Sequence, residues 1–222
     1  MAPIDAWRAV VYPRLMANVD TGSIVPSTRD LFQAVSTRRK SLALIAELDG
    51  ERPAEDAARL DAVGVAAFAM REPGPAMALA ARATKSVPML LLEPVTSVQA
   101  CQIARYYGAD GVAIDAGDVE IKSLADTARS MRMQAFPLAN DAGAAAKVVT
   151  EIRARALILR AGSAAEIVAF ARATPGVTIL AAPTPCDAEA LRELVGHVDA
   201  ALVPSSVHAA SGFAELAGEL SP

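Results

Sequence analysis

The chain has 222 residues, a formal net charge of −4, 53% hydrophobic residues and only 4% aromatic ones. That length is ample for one large core, and the lack of a basic surplus excludes an electrostatic footprint for nucleic acid. No charge-free apolar stretch approaches the roughly 18 residues of a membrane span, and Asp5 and Arg8 interrupt the place where a signal peptide carries its hydrophobic core; the expectation is a soluble, cytoplasmic, single-domain chain over residues 1–222.

In chain order, Ile4–Ala17 puts Trp7, Val10, Val11 and Leu15 on one helical face, which predicts an extra helix packed on the domain. Asn18–Thr28 reads as a turn-rich linker and Asp30–Val35 as one or two helical turns, so residues 1–40 form a helical extension. Arg38-Arg39-Lys40 is a basic triplet directly before the first strand. Its plain reading is a solvated rim; docking of an acidic partner is the sharper one.

Ser41–Met70 is the first complete unit. Ser41–Leu48 is a nearly unbroken apolar run, Gly50–Pro53 breaks it, Ala54–Val63 has helical periodicity, and Val65–Met70 is a second apolar run. Strands that are apolar on both faces belong to a parallel sheet covered by crossover helices. Further runs centre on Leu90, Ala113, Phe136, Ile158, Ile179 and Leu202, with a period of about 23 residues, close to the minimum for a strand, a helix and two turns. Helical stripes such as Ile121, Leu124, Ala125, Ala128 and Ala164, Ile167, Val168, Ala171 fill the intervals. Eight such units predict an α/β fold of the (β/α)8 TIM-barrel type over residues 41–222, with an open doubly wound sheet as the rival. Ser163 with Glu166, Asp187 and Pro53 mark helix starts close behind their strands.

In a barrel the C-terminal strand ends build the mouth. Here they supply Glu47, Asp49, Arg71, Glu72, Leu92, Glu93, Asp115, Leu138, Asn140, Arg160, Ala182–Thr184, Ser205 and Ser206. The set holds carboxylates and two arginines but no lysine, since Lys40 and Lys85 precede strands and Lys122 and Lys147 fall on helices. Schiff-base chemistry and a lysine general acid are therefore not expected. His197 precedes strand eight on the opposite face; His208, one turn beyond Ser205, is within reach of the rim, with a structural role favoured. Cys101 and Cys186 have neither metal nor disulfide spacing.

Several stretches resemble the indole-3-glycerol-phosphate synthase family of ribulose-phosphate-binding barrels: Ile45-Ala46-Glu47, Phe32–Val35, Ser86–Leu90, Ala104-Arg105, Gly108–Asp110 and Ala200–Val203. The resemblance implies ring closure of a carboxyphenylamino-deoxyribulose phosphate with loss of carbon dioxide and water, without a cofactor or metal. It places the first-strand glutamate on Glu47. The family's next lysine falls on Asp49, its general-acid lysine on Leu92, its strand-five glutamate on Phe136, its strand-six asparagine on Arg160 and its strand-seven glutamate on Ala182. Only Glu47 keeps its group. Leu92 donates no proton and Asp49 repels a substrate carboxylate, so the family reaction is expected to be absent.

The resemblance also puts a phosphate site on the loops after strands seven and eight, Ala181–Cys186 and Val203–Ser206. Pro183, Pro185 and Pro204 remove donors there, while Thr184, Ser205 and Ser206 retain hydroxyls; a helix cap at either serine is the plain alternative. Two more readings of the mouth are open: a divalent metal on Asp49, Glu93 and Asp115, and an ion pair of Glu47 or Asp49 with Arg160 that plugs it. The leading functional expectation is a catalytically inactive relative of the synthase that binds a small molecule or protein and self-associates or joins a partner. The alternative is an active lyase or isomerase on another phosphorylated substrate, with Glu47, Asp49 or Glu93 as base and Arg160 as anion clamp.

Overall fold

The computed structural model describes residues 24–49, 51–160 and 162–220. The expected helix over Ile4–Ala17 and most of the linker lie outside the described residues; residues 24–28 have no regular secondary structure. The first described helix is α1 (Leu31–Val35), started by Asp30, whose carboxylate accepts the Gln33 N–H at 2.9 Å. Then follow β1 (Ala43–Glu47), α2 (Pro53–Val63), β2 (Ala67–Met70), α3 (Pro75–Ala83), β3 (Met89–Leu91), α4 (Val98–Tyr106), β4 (Gly111–Asp115) and α5 (Ile121–Ser130). The second half is β5 (Gln134–Ala139), α6 (Ala142–Glu151), β6 (Ala156–Leu159), α7 (Ala164–Ala173), β7 (Thr178–Ala181), α8 (Ala188–Leu194), β8 (Ala200–Val203), α9 (Ser205–His208) and α10 (Phe213–Leu220).

All neighbouring strands pair in parallel, and β8 pairs back onto β1 with Leu44 opposite Ala201 and Ala46 opposite Val203. The sheet is a closed (β/α)8 barrel, which eliminates the open-sheet rival. Ser163 and Glu166 form a reciprocal capping box, Asp187 caps α8, and Pro53 occupies the first turn of α2, as their positions after each strand predict.

Alternation along each strand divides the apolar residues into two layers. The inward set includes Ile45, Ala69, Leu90, Phe136, Ile158 and Leu202, and it is closed from below by Leu31 and Val35 of α1. The outward set packs against the surrounding helices. The α1 plug explains Gly111: a Cβ there would collide with the Leu31 side chain and press on the Gln134 carbonyl and the Phe136 ring.

Polar anchors at the same end are arginines serving carbonyls and one buried carboxylate. Asp110 is fully buried; it accepts the Ser27 hydroxyl at 2.6 Å, Arg105 at 2.9 Å, the Met89 N–H at 2.9 Å and Arg29 at 2.7 Å. Arg29 also donates to the carbonyls of Ala81, Val87 and Gly108. The basic triplet is not wholly a solvated rim. Arg38 and Lys40 are exposed, but Arg39 donates to the carbonyls of Ala171, Thr174 and Val177, favourable at a helix C-terminus with its surplus acceptors.

Two outcomes follow. Gly111→Val should destabilise the fold by about 1–3 kcal/mol in chemical denaturation, because the plug is already packed. Asp199 is buried beside β7, and burial raises its carboxyl above the ordinary range against the opposing pull of the Ile179 N–H and Arg39. The folded chain therefore binds a proton that the unfolded chain releases, so this group's contribution is full below the ordinary carboxylate range and is lost as pH rises through the raised value. Asp199→Asn should melt higher than the parent at pH 7, by at most about 4 °C, and lose that advantage below about pH 4.

Candidate functional site

Strand alternation carries the inward layer up to the mouth. Above Ile45 comes Glu47, above Ala69 comes Arg71, above Ala113 comes Asp115, above Leu138 comes Asn140, and above Ile158 comes Arg160. The ladder continues to this level: the Arg160 N–H donates to Ala139 and the Ala182 N–H to Leu159, both at 2.9 Å. Beneath this polar ring the interior is filled. Leu92 is 2% exposed and Phe136 1%, and both belong to the inward apolar layer.

Glu47 is ion-paired with Arg71. One open reading of the sequence pairs Glu47 or Asp49 with Arg160; the ion pair that forms follows adjacency on β1 and β2, since Glu47 stands opposite Ala69, two residues below Arg71 on the same face. Arg160 is half-buried directly behind β6. Burial pushes its guanidinium below the ordinary value, the like charge of Arg71 adds to this, and Glu47 and Glu93 pull the other way. It remains a cation, and one short of water. The mouth thus gathers Glu47, Glu93, Arg71 and Arg160 into a group of two positive and two negative charges.

The other expected residues are dispersed. Asp49 is exposed and accepts the Glu51 N–H at 3.0 Å; Asp115 is exposed and accepts the Gly117 N–H at 2.7 Å. With Glu93 they do not assemble a metal site: no group of three ligating side chains is present among the described residues. Thr184 is exposed, and its N–H is taken by the Gly162 carbonyl at 2.9 Å. Ser205 is half-buried and Ser206 exposed in the short α9. Neither caps it, because Pro204 holds the cap position and has no polar side chain to offer.

The open space at this end is off the barrel axis. A groove of about 770 Å³ lies over the β1 and β2 ends, walled by Glu47, Asp49, Arg71, Glu72 and Pro75, with Ser205 on its far side. Neither Leu92 nor Phe136 lines it. Its carboxylates outnumber its arginine.

Two residues outside the groove support this wall. His208 is 4% exposed, and its Nε2 lies 2.8 Å from the Glu47 carbonyl. A carbonyl only accepts, so Nε2 holds the proton and Nδ1 faces Arg59, 3.5 Å away. Arg59 in turn donates to the His208 carbonyl at 3.2 Å. The histidine is a structural brace between α9 and β1, in agreement with the favoured reading. Arg59 gives no cue in the sequence beyond being an ordinary helix residue. Cys101 and Cys186 are free, and burial pushes both thiols up to about 11, which leaves them unreactive.

Against known proteins, no family model and no curated sequence matches. Solved structures do. A 3-hexulose-6-phosphate synthase superposes with TM-score 0.65 at 15% identity, covering 81% of this chain and 98% of that one. Thiamine phosphate pyrophosphorylase from Pyrococcus furiosus gives 0.57 at 18%, covering 82% and 95%. Orotidine 5′-phosphate decarboxylase from Pyrococcus horikoshii gives 0.58 at 15%, covering 80% and 96%. The shared property is the barrel. Among the described residues no helix is long and apolar enough to cross a membrane.

His208→Ala should cost about 1–3 kcal/mol in chemical denaturation by stripping the Glu47 carbonyl of its donor. His208→Gln, which keeps an N–H, should recover part of the loss.

Proposed function

We propose that this chain is a ribulose-phosphate-type barrel, akin to indole-3-glycerol-phosphate synthase, that has given up the synthase reaction and works as a cofactor-free binding subunit, taking a small ligand or a partner segment at the offset groove. The observation that carries the reading is the burial of Leu92 and Phe136 at the places where the resemblance puts a general-acid lysine and a glutamate. Proton transfer at that point has no group to perform it. The names of the structural neighbours, each built on a phosphorylated compound, support the ligand class. Self-association or a partner subunit is part of the proposal: Leu79, Val98 and Tyr106 on consecutive helices α3 and α4 are 52%, 47% and 40% exposed.

A second reading, an active lyase or isomerase on another sugar phosphate, is favoured by one feature. Arg160 is a partly desolvated cation beside Arg71 and two carboxylates, a combination suited to clamping an anion next to a base. The Glu47–Arg71 pair separates the two readings. In a binding mouth Glu47 repels a phosphate and occupies its arginine, so Glu47→Gln should strengthen binding of inorganic phosphate, severalfold to about tenfold by calorimetry. In an enzyme the same change removes the base and abolishes turnover.

Purified chain given carboxyphenylamino-deoxyribulose phosphate should form no indole product above background. Turnover at an ordinary enzyme's rate, about 1 per second or faster, would contradict the proposal.

A further inference from the structure

A cavity larger than the mouth groove lies on the flank, about 1010 Å³ along the outer face of β5, between α5 and the turn from α6 into β6. Its apolar lining comes from Phe32 of α1, Ile121 and Ala125 of α5, Ala135 and Pro137 of β5, and Ile152 behind α6. In a (β/α)8 barrel the ring of helices covers the outer faces of the strands. Here the outward β5 residues Ala135 and Pro137 are small, and Phe32, Ala125, Ala135 and Ile152 are only half-buried, so apolar surface stays open to the furrow. That volume and lining suit a small organic molecule.

The rim is charged against the composition. The chain carries 25 acidic and 21 basic residues, yet the furrow is lined by six cations, Arg29, Lys122, Arg129, Arg132, Arg153 and Arg155, and by two carboxylates, Asp30 and Asp126. Arg29 is held by Asp110 and Arg129 by Asp126. Lys122, Arg132, Arg153 and Arg155 are exposed, and their side chains have no ion-pair or hydrogen-bond partner among the described residues. One unpaired surface cation means little; four around one cavity with an apolar floor form a complement to an anion that has an apolar body.

Backbone geometry sharpens the case for two of them. Arg132 and Arg153 have φ of 57° and 54°, the left-handed region that glycine enters freely and arginine does not. Each stands two residues past a helix end, of α5 and of α6, where glycine is the common choice. Arg39 has the same geometry, with φ of 58°, but its guanidinium donates to the carbonyls of Ala171 and Thr174 at the end of α7. Those of Arg132 and Arg153 make no such bond among the described residues. What arginine offers over glycine at these two positions is its charge, and both line the furrow.

We propose that the furrow is a second ligand site, separate from the mouth, for a phosphate ester that carries an apolar or aromatic group. The hydrocarbon part lies on Ala125, Ala135, Pro137 and Ile152, and two or more negative charges meet Arg132, Arg153 and Arg155. A nucleotide and a prenyl diphosphate share that chemistry. This site is independent of the reading of the mouth.

Calorimetric titration of the full-length chain with ATP and with geranyl diphosphate, in about 0.15 M salt, tests it. At least one of the two should bind with a dissociation constant below about 100 μM, about tenfold or more tighter than inorganic pyrophosphate, and the preference identifies the apolar group. Arg132→Gly and Arg153→Gly remove a charge and relax the backbone, so each should melt no lower than the ligand-free parent and weaken binding about fivefold or more. Arg155→Glu should weaken it about tenfold or more, and secures the test if either glycine variant folds poorly. Absence of binding by both compounds overturns the proposal. So does pyrophosphate binding as tightly as they do, which shows an unselective basic surface. Well-folded variants at Arg132, Arg153 and Arg155 that bind as the parent does also overturn it. Binding that Arg160→Ala abolishes and Arg153→Gly leaves intact belongs to the mouth and overturns it as well.

Discussion

An eight-stranded parallel barrel encloses a space only wide enough for side chains, and what fills that space fixes nearly everything else about this molecule. The inward layers are hydrocarbon from Leu31 at the bottom to Leu92, Phe136 and Leu138 beneath the mouth. Because the interior is packed to that level, a ligand at the top meets a floor rather than a cavity. At the mouth end the polar Glu47, Arg71, Asp115, Asn140 and Arg160 stand above this layer, and the groove described there is displaced over β1 and β2.

The same packing demand explains where the charges go. Arg29, Arg39 and Arg105 lie at the N-terminal end of the barrel and spend their donors on main-chain carbonyls and on Asp110. Such groups tie α1, α3, α4 and α7 to the strands without facing a ligand. Among the described residues the mouth sets the cations Arg71 and Arg160 beside Glu47 and Glu93. A group with equal numbers of both signs offers a phosphate less than a ring of lysines and backbone amides does, and the prolines at Pro183, Pro185 and Pro204 thin the amide supply further. This balance supports the proposed binding role.

How much of this is visible in the residue string follows from distance along the chain. The eight strands are legible because doubly buried strands are continuous apolar runs, and the mouth residues because each sits directly behind such a run. Framework echoes such as Ala104-Arg105 and Gly108–Asp110 have a physical reason in the buried carboxylate of Asp110 and the arginines around it. Contacts that join remote positions are not legible. Arg39 reaches Val177 across 138 residues and His208 reaches Glu47 across 161, and neither pair has a local pattern. A pairing of Glu47 or Asp49 with Arg160 is an open reading of the string because all are mouth residues; the register of β1 on β2 instead sets Arg71 beside Glu47.

The claim on which the proposed function stands is that the barrel axis is closed by side chains beneath the mouth and that any small molecule is held beside it. Methyl-resolved NMR during titration with ribulose 5-phosphate tests this most directly. The account predicts shifts at Leu48 and Met70, which line the groove, with Leu92, Leu138 and Ile158 unmoved. Shifts centred on Leu92 and Leu138 would show a ligand entering the barrel axis and would contradict it.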